Sequence, residues 1–119
     1  MSQQRLNVTQ HGEVAVVTFN DKKIVDSANI EEMGAEMFAV VEQDHLKHVI
    51  LNFDGVEFLS SAALNKLILM DRKVKQAGGI LRLCELRAEI MEIFTITNLT
   101  RVFDIRKTSA DALKAFDAA

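Results

Sequence analysis

Apolar and polar residues alternate over two short runs near the start of the chain. The runs are Arg5–Val8 and Glu13–Asn20, and the turn-forming stretch Thr9–Gly12 separates them. Such a pair of runs predicts a β-hairpin. Both faces of the second run are apolar, which indicates a strand that is covered on both sides inside a sheet.

Two later segments carry apolar residues at helical spacing. The first helix is predicted to begin within Asp26–Asn29, where Asn29 followed by Glu32 resembles a capping box. Its apolar positions are Ile30, Met33, Met37, Val40 and Val41. The second helix is predicted over 60–77, and Gly78-Gly79 ends it because glycine adopts the left-handed C-cap conformation without strain. Its apolar positions are Leu64, Leu67, Ile68 and Val74.

The remaining pattern alternates strands and helices. Lys22–Val25 is predicted to be a connection, and the strand-like Val56–Leu59 leads into the second helix. Further strands are predicted at His48–Phe53, Ile80–Cys84 and Val102–Ile105. Further helices are predicted at Arg87–Thr95 and from the Thr108/Asp111 capping box through Phe116. The order β-β-α-β-α-β-α-β-α predicts one α/β domain over residues 1–119, with four helices and a mixed, mostly parallel sheet opened by a β-hairpin.

Composition and charge narrow the classes of function. The chain has 119 residues, 49% of them hydrophobic, and a net charge of −3. Residues 26–60 carry eight acidic residues and one lysine, which argues against nucleic acid as the partner. No apolar run is long enough to span a bilayer, and the first residues do not resemble a signal peptide. We therefore expect a soluble, cytoplasmic protein with no membrane insertion.

Few residues suggest catalytic or metal chemistry. His45 and His48 with Asp44 form a poor ligand set at a junction between loop and strand, and we interpret both histidines as exposed. Cys84 ends a strand, and we interpret it as a buried structural thiol instead of a nucleophile. The five methionines are core residues first and an interaction surface second. We expect no enzymatic activity, no cofactor and no metal.

The stretch Val56–Leu64 places two hydroxyl groups where a strand-like segment becomes a helix. In one interpretation, Ser60 is the N-cap, its Oγ accepts a backbone hydrogen bond, and Ser61 is an ordinary first helical residue. In the other, a hydroxyl here is phosphorylated without refolding, because the helix N-terminus accommodates the negative charge. The residues alone leave both interpretations open.

The sequence resembles the STAS family of bacterial anti-sigma-factor antagonist domains. The hallmark of that family is an aromatic–aliphatic–Asp/Ser–Ser–small–Gly–Leu motif before a helix that ends in Ala-Gly-Gly. Here the motif stands as Phe58-Leu59-Ser60-Ser61-Ala62-Ala63-Leu64, and the helix ends in Gln76-Ala77-Gly78-Gly79. The resemblance continues through Ile93–Phe103 and covers the chain from Leu6 to Phe116.

The resemblance implies a binding module controlled by phosphorylation. It implies an anti-sigma factor serine-protein kinase as partner, a serine phosphatase that resets the switch, and a monomer or weak dimer. Ser61 takes the position of the phosphate acceptor, and Ser60 takes a position often held by Asp. The implied partner-binding residues are Asp54, Glu57, Phe58, Ser60, Ser61, Ala62, Ala63 and Leu64.

Two further expectations follow from the same resemblance. Ala63 replaces the family's usual Gly, and its methyl group is expected to narrow the surface that a partner's backbone approaches. The alternative function is a constitutive subunit of a larger assembly, a stress-sensing complex or the partner of a lipid-transport ATPase, without phosphate turnover. That role would use Ser60–Leu64, the acidic helix Asn29–Val41 and the side chains of Met33, Met37 and Met70.

Overall fold

The computed structural model describes residues 5–43 and 45–117 of the chain. Its strands are β1 (Leu6–His11), β2 (Val14–Phe19), β3 (Lys23–Ile24), β4 (His48–Asn52), β5 (Phe58–Leu59), β6 (Ile80–Cys84) and β7 (Asp104–Ile105). Its α-helices are α1 (Ser27–Glu42), α2 (Ser61–Gln76), α3 (Ala88–Ile96) and α4 (Ser109–Asp117), and a short 3-10 helix spans Leu99–Arg101.

The main sheet has five strands in the order β1-β2-β4-β6-β7. β1 runs antiparallel to β2, as the two strands of a hairpin must, and the other neighbours are parallel. The predicted α/β class, with four helices and a mostly parallel sheet opened by a hairpin, is therefore confirmed. β2 lies between β1 and β4, which agrees with its two apolar faces.

A second, two-stranded sheet lies outside the prediction. β3 pairs in parallel with β5, with Lys23 opposite Phe58 and Ile24 opposite Leu59. The interpretation of Lys22–Val25 as a plain connection was therefore wrong. Two residues are too few to show the period-2 alternation by which a strand is recognised.

The core lies between the main sheet and the helices α1, α2 and α3. Met33, Met37 and Met70 are fully buried in it, together with Phe53 and Phe94. Met33, Met37 and Met70 are thus core residues, and the suggestion that these three form part of an interaction surface was wrong. Their helical spacing places them on the faces with which α1 and α2 pack on the sheet and on each other.

Helix α4 covers the other face of the sheet. Ala112 of α4 is buried against Val14, Ile50 and Cys84, and Phe116 packs beside them. Thr108 caps this helix as predicted, because its Oγ1 accepts a hydrogen bond of 3.1 Å from the Asp111 amide, which is one of the two bonds of the predicted capping box. The sheet is therefore covered on both faces, as its parallel strands require.

The cap of α1 differs from the prediction. Asp26 is the N-cap, and its Oδ1 accepts hydrogen bonds from the amides of Ala28 (3.0 Å) and Asn29 (3.1 Å). Asn29 lies inside the helix, so the capping box proposed for Asn29 and Glu32 was wrong. Asp and Asn have similar N-cap preferences, and composition alone did not decide between them.

Within the described residues, every helix falls short of the length and hydropathy that a membrane crossing requires.

Candidate functional site at the start of helix α2

Ser60 is the N-cap of α2, as one of the two interpretations held. Its backbone is extended, and its Oγ accepts a hydrogen bond of 3.2 Å from the Ala63 amide. Its carbonyl accepts the first intrahelical bond, from the Leu64 amide, and its own amide donates to the Ile24 carbonyl. The Ser60 hydroxyl and backbone are therefore both engaged in holding this turn against β3.

Ser61, the first residue of the helix, is exposed. Among the described residues, nothing accepts a hydrogen bond from the Ser61 or Ala62 amides, and the first turn contains no acidic residue. Free amides and the positive end of the helix dipole favour an anion at this position. A phosphate on Ser61 would meet the amides of Ser61 and Ala62, because the Ala63 amide is already bonded to Ser60.

Because only Ser60 makes the capping bond, substitution of Ser60 should lower stability and substitution of Ser61 should not. Ser60→Ala should lower the free energy of unfolding by about 1 kcal/mol, because the Ala63 amide loses its acceptor. This corresponds to a fall in Tm of about 4 °C for a chain of this size. Ser61→Ala, the matched control, should melt like the wild type. Equal melting temperatures for the wild type and Ser60→Ala would contradict the assignment of the cap.

Phe58 of β5, two residues before the N-cap Ser60, and Val25, directly after β3, present exposed apolar side chains. Phe58 is 56% exposed and Val25 is 55% exposed. The ammonium group of Lys23 lies 5.5 Å from the centre of the Phe58 ring, a cation–π contact. These contacts hold the Phe58 ring at the surface, immediately before the two serines.

A groove of about 460 Å³ separates this small sheet from α3. Its lining residues are Val25, Glu57, Phe58, Leu59, Arg87, Glu89, Ile90 and Ile93. Most of these side chains are apolar, and the charged ones form a rim that carries both positive and negative charges. An apolar groove with a charged rim is suited to hold an apolar side chain of a protein partner.

The two predicted acidic residues lie on the loop that joins β4 to β5. Asp54 is exposed in a turn, where its amide donates a hydrogen bond of 2.8 Å to the Asn52 side chain. Glu57 is half-buried, lines the groove, and donates its amide to the Lys22 carbonyl. The loop and the start of α2 share the edge of the sheet at which the parallel strands end. That edge carries two carboxylates besides the serines.

Ala63 and Leu64 differ from the other predicted partner-binding residues, because both are buried. The Ala63 side chain has no exposed area and packs in the core. The expectation that its methyl group narrows a partner surface was therefore wrong, since the group faces the interior. The predicted residues with exposed or half-buried side chains are Asp54, Glu57, Phe58, Ser60, Ser61 and Ala62.

Several residues of the groove were missed by the sequence analysis. They are Val25, directly after β3, and Arg87, Glu89, Ile90 and Ile93, at and after the start of α3; Lys23, which contacts the ring of Phe58, was missed as well. No local motif distinguishes them from ordinary surface and core residues. Their position beside Phe58 depends on the pairing of β3 with β5 and on the packing of α3, which are tertiary features.

His45 and His48 have different surroundings in the structure. His45 is exposed, and the His48 ring stacks on Phe116 at a centroid distance of 5.2 Å. In residues 5–43 and 45–117, no group of three potential ligands comes together. Asp44, the third residue of the suggested set, lies outside the described residues. His48 is half-buried, so only His45 matches the expectation of exposure.

Cys84 is buried at the end of β6. Burial raises the pKa of its thiol to about 12, and the negative charges of Glu85 and Asp54 act in the same direction. A thiol with this pKa stays protonated at neutral pH and is a poor nucleophile. The interpretation of Cys84 as a structural thiol agrees with this environment.

The raised pKa of Cys84 predicts how stability depends on alkaline pH. The thiol ionises near pH 9 in the unfolded chain and at about 12 in the folded one, so the folded state holds its proton longer. Its contribution is complete below pH 9 and is lost as the pH rises towards 12. Urea titrations of the wild type should therefore show unfolding free energy falling faster between pH 9 and 11 than in Cys84→Ala. The difference in slope should approach 1.4 kcal/mol per pH unit. Equal slopes would contradict the conclusion that burial keeps the Cys84 thiol protonated in the folded state.

Comparisons with known proteins agree on one family. A model of the STAS domain matches residues 5–112. The candidate anti-sigma factor antagonist BtrV of Bordetella bronchiseptica is 32% identical over 96 residues, which are 81% of this chain and 82% of that protein.

Solved structures share the fold. An anti-sigma-factor antagonist (STAS) domain protein from Planctomyces limnophilus superposes with a TM-score of 0.83 at 23% identity, over 92% of this chain and 96% of that one. The Bacillus cell fate determinant SpoIIAA in its phosphorylated form gives a TM-score of 0.71 at 16% identity, over 93% and 98% of the two chains.

Proposed function

Because the chain belongs to the STAS domain family, we propose that it is an anti-sigma factor antagonist that binds an anti-sigma factor kinase and is released when that kinase phosphorylates Ser61. In this role it is a binding module and performs no catalysis itself. The observation that carries the proposal is an exposed hydroxyl at the start of α2, beside free amides and two residues after β5, whose side chains line an apolar groove.

The proposed binding surface consists of Ser61 at the start of α2 and of the apolar groove, whose lining includes the exposed side chains of Phe58 and Val25. An exposed aromatic ring supplies a large contact area with few rotatable bonds, so ordering it on binding costs little entropy. Phe58 is further restrained by Lys23 and by the pairing of β5 with β3. We expect the kinase to place an apolar side chain in the groove and its phosphate-transfer site over Ser61.

Phosphorylation of Ser61 is compatible with the folded chain. The side chain is exposed, and the amides of Ser61 and Ala62 are available to the phosphate oxygens. The phosphate would also interact favourably with the dipole of α2. Ser60 is a less suitable acceptor, because its hydroxyl is only half-exposed and accepts the capping bond from Ala63.

Release follows from charge and desolvation. A phosphate adds about −1.5 to −2 charges at neutral pH. It would enter an interface whose edge already holds the carboxylates of Asp54 and Glu57, and closing that interface would strip water from the dianion. A loss of about 3 kcal/mol reduces affinity more than a hundredfold, which is sufficient for a switch. A serine phosphatase would restore the binding form.

Two relatives support this proposal. BtrV is named as a candidate anti-sigma factor antagonist, and SpoIIAA, which shares the fold, has been solved in a phosphorylated form. The family resemblance aligns the phosphate acceptor with Ser61. Both lines of support are consistent with the exposure of Ser61 and the engagement of Ser60.

The proposal is tested by incubating the protein with ATP and each anti-sigma kinase of its organism. The expected result is the mass gain of one phosphate, located on Ser61 by peptide fragmentation, in the wild type and in Ser60→Ala. Ser61→Ala should gain no mass. A phosphate on Ser60 would contradict the assignment of the acceptor. If the protein neither binds any of the kinases nor gains a phosphate, the proposed function is contradicted. That outcome would favour a constitutive subunit of a larger assembly, whose native complex elutes far above 13.3 kDa in gel filtration.

A further inference from the structure

The edge strand β1 leaves one side of the main sheet open. β1 pairs with β2 along its whole length, and no other described residue pairs with its opposite side. Five of its six residues, Asn7 to His11, are exposed, including Val8 at 44%. An uncovered strand edge is a template for pairing with another strand.

The register identifies the backbone groups that face outward. The Asn20 amide donates to the Arg5 carbonyl at 2.9 Å, which marks this position as a hydrogen-bonded one of the antiparallel ladder, while the Arg5 amide itself donates to the Glu36 carboxylate at 2.8 Å. Hydrogen-bonded positions alternate along the ladder, so Asn7, Thr9 and His11 also face β2. Val8 and Gln10 therefore direct their amides and carbonyls away from β2, where no described group meets them. The Leu6 amide, which also faces outward, is occupied by the Glu36 carboxylate at 3.2 Å.

The two edges of the sheet are protected very differently. The opposite edge, β7, has only two residues, and its Asp104 is paired with Arg82 and Arg106. β1 has six residues, contains no Lys, Arg, Asp, Glu or Pro, and includes the β-branched Val8 and Thr9. Short length, charge and proline are the usual means by which proteins prevent edge pairing. β1 carries none of them.

We propose that β1 pairs antiparallel with β1 of a second copy of this chain, about a two-fold axis at Thr9. In this register Val8 of each copy lies opposite Gln10 of the other, and their outward amides and carbonyls form four hydrogen bonds. The charged residues that flank the strand, Arg5 and Glu13, then lie opposite each other across the axis. Arg5 uses Nε and Nη1 on Glu32 and Asp21, which leaves Nη2 for the second copy. The two five-stranded sheets join into one continuous sheet.

Val8→Pro is the selective variant. Proline removes the Val8 amide, which the pairing with β2 does not use, and proline is tolerated in edge strands where the amide faces solvent. Sedimentation velocity from about 10 μM to about 1 mM covers the range of weak associations. The wild type should shift towards a dimer as concentration rises. Val8→Thr, the matched control, should shift equally, and Val8→Pro should sediment as a monomer throughout.

A second measurement requires no variant. In hydrogen exchange of the wild type, the amides of Val8 and Gln10 should exchange several-fold more slowly at high concentration, whereas the amides of Asn7 and Thr9 should be protected at every concentration. A wild type that remains monomeric to about 1 mM would overturn the proposal. A dimer in which the Val8 and Gln10 amides exchange as in the monomer would overturn it too, because it would use another surface. This test is independent of Ser61 and of the kinase.

Discussion

Ser61→Asp should bind the anti-sigma factor kinase at least tenfold more weakly than the wild type, and Ser61→Asn should bind almost as tightly. The two side chains have the same size, so the difference reports the charge alone. One carboxylate carries about half the charge of a phosphate and should reproduce part of its effect, about 1.4 kcal/mol or more. Folding should be unchanged, because an acid in the first turn interacts favourably with the helix dipole.

Ser61→Ala completes this series. It should bind the kinase as the wild type does and remain bound after ATP is added, since it cannot accept the phosphate that causes release. Isothermal titration of the three variants, with and without ATP, measures each affinity. Equal affinities of Ser61→Asp and Ser61→Asn would show that charge at this position does not control binding, and would contradict the electrostatic part of the mechanism.

Gly79→Ala should lower the free energy of unfolding by about 3 kcal/mol or more. A Cβ at this position would overlap the Lys47 carbonyl oxygen and would lie 2.6 Å from the carbonyl carbon. That carbonyl also accepts a hydrogen bond from the Ile80 amide, so the start of β6 and the segment before β4 would have to separate. Backbone cannot move aside as the end of a flexible side chain can, which places the effect at the upper end of the overpacking range.

Gly78→Ala is the matched control for this prediction. Gly78 has a φ of +80°, and a Cβ there would meet nothing within 4 Å. The free energy of unfolding of this variant should therefore fall only by the cost of holding alanine in the left-handed conformation, about 1 to 2 kcal/mol. Urea unfolding of both variants measures the difference. If Gly79→Ala were no less stable than Gly78→Ala, the close approach of Gly79 to Lys47 would be contradicted.

These two glycines illustrate what the sequence could and could not predict about the fold. The end of α2 at Gly78-Gly79 followed from the left-handed preference of glycine, and Gly78 does adopt a positive φ. The need for a glycine at 79 depends on Lys47, which is distant in sequence and leaves no local signal. Long periodic segments such as α1 and α2 were predictable, whereas the two-residue strand β3 was too short to produce a pattern.

The candidate site, too, was predictable from the sequence only in its local features. The role of Ser60 followed from its place before an amphipathic helix, because the N-cap is a local interaction. The exposure of Ser61 was a consequence of that register. The groove was not predictable, since Val25, Phe58 and Ile93 come together only through the β3–β5 pairing and the packing of α3. The burial of Ala63 likewise depends on how α2 rotates against the core.

In the proposed mechanism, a phosphate on Ser61 decides whether this chain binds its kinase. The most direct measurement is the affinity of fully phosphorylated protein for the kinase, compared with that of the same sample after treatment with a serine phosphatase. We expect the phosphorylated protein to bind more than a hundredfold more weakly, a difference of about 3 kcal/mol, and dephosphorylation to restore the affinity completely. Equal affinities before and after treatment would contradict this mechanism.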